Sequence, residues 1–293
     1  LDQLRMLAWT DRAQRWADGL YLASTLDTST SIRRRLIDTG RCIQETGNAL
    51  LLRETLQQLP MAENIHGDDA IELLFIDLAA HGMRPVAVLT EKLEHSYRKI
   101  LTLEPEHQKR YLTWVQCVDA QFAMREFKIK RATELAKDIQ PHLALLPEYY
   151  RAQALSVLGE VAMLDGELPQ SIQYFNQGAD IAARHNLVSS SLWHQHQLAQ
   201  VHTLAGHTSH AENTRFSAIQ SGREQRARQL FPYRCLLRAH CESLFSELSI
   251  QEAEPFLIEL EQQSMLMNDN DALSTNLIRL EFHRLQCLLN LHY

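Results

Sequence analysis

β-Branched residues and chain breakers are scarce in this 293-residue sequence: valine occurs 8 times against 47 leucines, and glycine and proline fill only 10 and 8 positions. Sandwiches and barrels draw strands from Val, Ile and Thr and place Gly/Pro turns every few residues, so an all-β fold is excluded. Cysteines number five, scattered and without a C-x-x-C pair. An odd, dispersed set reads as reduced thiols of a cytoplasmic protein. No apolar run reaches the roughly 18 residues of a membrane span, and the N-terminal stretch lacks the layout of a signal peptide. A basic excess is also missing. The net charge is −7 and the pI about 6.1, which argues against direct DNA binding by this segment and leaves no membrane role. What is present is 45% apolar and 22% charged residues, the balance of a folded globular chain. The composition predicts an all-α protein. Leu1 is not methionine and Tyr293 falls within an apolar, helix-like stretch, so the expectation is a piece of a longer polypeptide.

A repeat organises the sequence. Leu155, Leu158, Val161 and Ala162 recur at helical spacing, Asp165-Gly166 interrupts them, and Ile172, Phe175, Ala179 and Ala182 resume the period. Asp-Gly could open a β-hairpin, but a 3.6-residue period on both sides marks a helix end, with Gly166 left-handed and Leu168 packed under the turn. Counted from Ala152 as position 1, the segment follows the tetratricopeptide pattern. Leu158 and Gly159 take positions 7 and 8, Gly166 position 15, and Ser171, Phe175 and Gly178 positions 20, 24 and 27. Small residues at 8, 20 and 27 let helices approach, and a large one at 24 fills the gap.

The pattern returns 40 residues later, from Leu192, with Leu198, Ala199, Gly206, Ala211 and Ala218 at positions 7, 8, 15, 20 and 27. A weaker copy about 42 residues on has Cys241, Ala253 and Leu257 at positions 8, 20 and 24. Ala120, Ala123 and Ala132 fit a degenerate unit over about 110–145, and Phe75, Gly82 and Ala87 suggest another over 68–103. The expected architecture is a right-handed superhelix, a solenoid of antiparallel helix pairs. Residues 271–292 read as the first helix of a further pair. Upstream, Trp9, Trp16, Leu20 and Leu22 suggest a helix or two, residues 24–32 a polar break, Gly47-Asn48 a division before a helix at 49–59, and 61–69 a loop. The expected domains are a helical arm over 1–65 and a solenoid over 66–293, truncated at its C-terminus.

One stretch carries a resemblance. SVLGEVAMLDGEL at 156–168, Ser171, the trio Ala183-Arg184-His185, and Leu192-Trp193 with Gln197 resemble the superhelical sensor domain of MalT-type bacterial transcriptional activators. The resemblance implies an ATP-dependent switch whose helical repeats detect an inducer, maltotriose in the member that names the type. It assigns this segment sensing and docking on other domains of a full-length regulator, without catalysis. No G-x-x-x-x-G-K-[ST] loop occurs, and nothing resembles a LuxR-type helix-turn-helix. No cofactor is therefore expected in this chain, and ATP is expected only in a missing domain.

Catalytic and metal chemistry find little support. His194 and His196 diverge by roughly 200° around a helix axis, and His207 and His210 lie beyond the Gly206 turn, so no metal site is expected. Cys235 and Cys241, with His240 adjacent, lack a context that activates a thiolate. Glu252 and Glu254, and the Arg33-Arg34-Arg35 run with Arg41, read as solvated helix faces. The expected site is the inner face instead, reached by positions 2, 5, 9 and 12 of each first helix. These are Trp114, Cys117, Gln121 and Met124; Gln153, Ser156, Glu160 and Met163; Trp193, His196, Gln200 and Thr203; and Cys235, Arg238, Glu242 and Phe245. From them Trp114, Gln121, Gln153, Glu160, Trp193, His196, Gln200, Arg238 and Glu242 form the candidate ligand wall. Aromatic faces would stack on sugar C–H surface while amides and charges take hydroxyls. Trp114 and Trp193 could equally be packing residues between helices. The partner is a small-molecule inducer; the alternative is an adaptor binding a partner peptide.

Overall fold

The computed structural model describes residue 10 and residues 16–25, 29–45, 48–58, 68–80, 86–267 and 271–290. No strand occurs among the described residues, and the fold is all-α. The chain forms two compact units, Leu1–Val157 and Leu158–Tyr293. Trp9, Gly47, Gly82 and most of the expected 61–69 loop lie outside the described residues, as does residue 65.

The first unit holds helices α1 (Trp16–Thr25), α2 (Ser29–Glu45), α3 (Ala49–Gln58), α4 (Asp68–Ala80), α5 (Val86–Ile100), α6 (Pro105–Arg125) and α7 (Ile129–Ile139), then a 3-10 turn at Gln140–Leu145. Helix α2 begins inside the Ser/Thr stretch read as a break, three residues before Ile32. Leu20, Leu36, Ile43, Leu52, Leu73 and Ile76 make an apolar core there. Further along, buried Asp119 on α6 accepts hydrogen bonds from Tyr97 Oη (3.0 Å) on α5 and Arg131 (2.7 Å) on α7. One satisfied carboxylate thus ties three helices, as a buried charge requires.

Helix α8 (Glu148–Leu164) carries the chain from the first unit into the second, which continues with α9 (Leu168–Arg184), α10 (Val188–Leu204), α11 (Thr208–Glu224), α12 (Phe231–Ser246), α13 (Ile250–Met267) and α14 (Asp271–Asn290). Each helix from α9 to α13 packs on the next, and α10 also touches α12, as α12 touches α14. This is the stacking of helix pairs, first helix against first helix, that the repeat predicts. Helix α14 sits in the series as expected, burying Ile278 and Phe282.

The repeat positions do the packing expected of them. Ser171 Oγ donates to the Gly159 carbonyl (2.8 Å), and Phe175 covers Gly159 so closely that an added Cβ would lie 2.6 Å from its ring. Gly178 likewise receives the His194 ring, and Gly222 the Tyr233 ring. In the weaker copy Cys241, Ala253 and Leu257 are fully buried. Glu259 on α13 accepts from Arg223 Nη2 (2.5 Å) on α11 and Tyr233 Oη (2.7 Å) on α12. Burial would raise its pKa, but these bonds outweigh that and lower it.

Among the described residues one turn is used six times. Left-handed residues Phe127, Gly166, Asn186, Gly206, Arg226 and Leu248 each end a helix. In every case the following amide reaches back five residues, as in Glu167 N to Ala162 O (2.8 Å) and Ser249 N to Leu244 O (2.9 Å), while the left-handed residue's own amide bonds the carbonyl three back. That pair of bonds is the Schellman motif. Position 15 of the degenerate unit, the two strong copies and the weaker copy is therefore left-handed throughout, although only two of these four residues are glycine.

Candidate functional site

In the second unit the candidate positions Glu160 and Trp193, on successive first helices, lie side by side. Trp193 on α10 is half-buried, its ring centroid 5.5 Å from His196 on the same helix and 6.2 Å from Phe231 at the start of α12, nearly parallel to the latter. Its indole Nε1 donates to Glu160 Oε1 on α8 (3.3 Å), and Gln197 Nε2 donates to the same oxygen (3.1 Å). Glu160 thus fixes the tilt of the indole, which stays partly exposed. Gln200 Nε2 lies 3.1 Å from His196 Nε2. On α12, Arg238 Nε donates to Glu242 Oε1 (3.0 Å), both side chains exposed.

Burial and the positive charges of Arg215 and Arg238 push His196 down to about 4. At neutral pH its ring is an uncharged partner for an amide or a hydroxyl. Arg215 was not among the candidate residues, and it is the most unusual group here. It occupies position 24 of its repeat, where Phe175 and Leu257 stand in the neighbours, and is only 6% exposed. Its Nη2 donates to Thr203 Oγ1 (2.5 Å) across from α10, while its Nε has no hydrogen-bond partner. Burial lowers its pKa. A charged residue in the slot that should be large and apolar was the signal for it.

The first unit corrects part of the expected wall. Trp114 is wholly buried. Phe75 on α4 meets it edge-on at 4.8 Å, Tyr111 at 5.2 Å, and Tyr150 on α8 lies 3.7 Å away. An aromatic so enclosed packs helices and presents no face to a ligand, so of the two readings held open the packing one applies to Trp114. Gln121 and Gln153 are half-buried. The structure therefore brings together Glu160, Trp193, His196 and Gln200, with Arg238 and Glu242 on the next first helix, and removes Trp114.

Two of the described thiols, Cys117 and Cys241, are enclosed. Burial raises Cys117 and pushes Cys241 up to about 12. His240, beside the latter in sequence, packs edge-on against Phe256 at 4.5 Å. No helix among the described residues is long and apolar enough to cross a membrane.

The fold defines a tetratricopeptide-like helical-repeat segment. The chain is homologous to MalT transcriptional regulators. It is 28% identical over 244 residues to the HTH-type transcriptional regulator MalT of Serratia proteamaculans (strain 568), covering 81% of this chain and 26% of that protein. With its counterpart in Yersinia pestis (strain Pestoides F) it shares 33% identity over 135 residues, 46% of this chain and 15% of that protein. The chain thus spans about a quarter or less of the length of these relatives. No protein-family model matches. Among solved structures it resembles a Rap protein complexed with competence and sporulation factor, with TM-score 0.61 and 16% identity over 84% of this chain and 68% of that one. It also resembles the apo form of RapI, with TM-score 0.57 and 12% identity over 90% and 73%. Both are matches of fold, a tetratricopeptide-like stack of helices.

Proposed function

We propose that this chain is the inducer-sensing segment of a MalT-like transcriptional activator, binding a small ligand on the inward face of the second unit and controlling self-association of the full regulator. The observation that carries it is the half-open Trp193 indole, held by Glu160 and flanked by His196 and Gln200. Stacking on a flat aromatic with amide and carboxylate groups at its rim suits an oligosaccharide. Arg238 and Glu242 extend the polar rim. In this reading the protein is cytoplasmic, ATP and DNA are bound by other domains, and this segment performs no catalysis. Ligand binding biases the regulator only if its resting and active states differ in affinity for the ligand.

Calorimetric titration with maltose, maltotriose and longer maltodextrins tests the reading, with unrelated sugars as controls. Selective micromolar binding that Trp193→Ala abolishes, with helical content intact, is the expected result. A folded chain giving no heat with any sugar would sink the oligosaccharide assignment. The second reading is a peptide-binding adaptor, favoured by the fold shared with a Rap protein solved in complex with a factor. It predicts that an extended peptide, and no sugar, shifts Trp193 fluorescence.

A further inference from the structure

The turn between α10 and α11 gathers three histidines. His202 is the third residue from the end of α10, His207 caps α11, and His210 lies in its first turn. Gly206, at φ 75°, closes the Schellman turn, with His207 N donating to His202 O (2.8 Å) and Gly206 N to Thr203 O (3.1 Å). In sequence a break separates His202 from His207 and His210; in the fold the break brings them onto one another. Their ring centroids form a near-equilateral triangle, 5.8 Å from His202 to His207, 5.6 Å from His202 to His210 and 6.1 Å from His207 to His210.

We infer that His202, His207 and His210 form a surface site for a first-row divalent cation that favours imidazole, such as Zn²⁺, Ni²⁺ or Cu²⁺. A tetrahedral ion with Zn–N bonds of about 2.0–2.1 Å sets imidazole centroids about 5 Å apart, slightly closer than they stand here. With the side chains as they stand, no group of three His, Cys, Asp or Glu among the described residues could hold a metal ion. The remaining movement falls on His207 and His210, which are exposed and free to change rotamer. His202 Nδ1, by contrast, is shielded from water and has no hydrogen-bond partner. The fourth position would be open to water or to an acidic group of a partner.

The test is calorimetric titration of the tag-free chain with Zn²⁺ and with Ni²⁺, alongside His207→Ala and His210→Ala. His185→Ala controls for solvated imidazoles and Cys235→Ser for thiol binding. Expected are one equivalent bound at micromolar affinity or tighter, at least tenfold weakening in either site variant, and none in the controls. Metal should raise the melting temperature of the wild type but not of His210→Ala, and both exposed substitutions should leave the metal-free melting temperature unchanged. No stoichiometric binding by the wild type, or binding kept within threefold in both site variants, would overturn the site.

Discussion

Trp114 and Trp193 hold the same position in their repeats, yet one is sealed inside the first unit and the other lies half-open in the second. Their surroundings explain it. Phe75, Tyr111 and Tyr150 close around Trp114, whereas Trp193 meets a carboxylate, an imidazole and one phenyl ring. Position 24 differs in the same manner: Phe175 fills its slot with a ring, and Arg215 fills the equivalent slot with a guanidinium. Repeat geometry sets where a side chain starts. Its neighbours decide whether it becomes core or surface.

The sharpest way to break this comparison is to remove both tryptophans in turn. Trp114→Ala should cost about 3–5 kcal/mol in denaturant unfolding, and Trp193→Ala less than about 1.5 kcal/mol while removing ligand binding. Equal costs would show that Trp193 is a packing residue too. Next in size is the pH dependence arising at His196. Its folded pKa of about 4 lies below the ordinary 6.5, so between these values the unfolded chain binds a proton that the folded chain refuses. Its contribution is complete above pH 6.5 and is lost as pH falls toward 4, by up to about 3 kcal/mol. His196→Gln should flatten that part of the stability profile; an unchanged profile would place the pH dependence elsewhere.

Gly159→Leu drives a side chain into the Phe175 ring and should cost about 1–3 kcal/mol. Gly166→Ala instead meets open space but must adopt a left-handed backbone, costing about 1–2 kcal/mol. The smallest effect runs the other way. Leu248 holds φ 60° with its side chain 57% exposed, so Leu248→Gly should relieve strain and stabilise by up to about 1 kcal/mol. A lower melting temperature in that variant would mean that the exposed leucine makes a contact worth more than the strain.

Much of the second unit was legible because its turns and close approaches are written in small residues. Gly159, Ser171, Gly178 and Gly206 each announce a task that few other side chains can perform. Phe127, Arg226 and Leu248 make the same turn without announcing it, since a hydrogen-bonded helix end can impose a left-handed residue that propensity would not choose. Arg215 was not legible as a site residue because position 24 calls only for a large side chain, and a long aliphatic stem with a hydrogen-bonded head satisfies that slot. The inward wall was legible as a set of positions and illegible as a set of exposures.

By itself the sequence determined the helical class, the paired-helix repeat and its register over residues 150–220, because local periodicity and steric smallness are properties of nearby residues. Only the tertiary structure decided that Trp114 is core, that His196 is neutral beside a buried arginine, and that a glycine turn brings His202 to His207 and His210. Each of these depends on side chains from different helices, or from both sides of a turn. Burial and charge coupling arise from what stands opposite, and a linear pattern does not contain it.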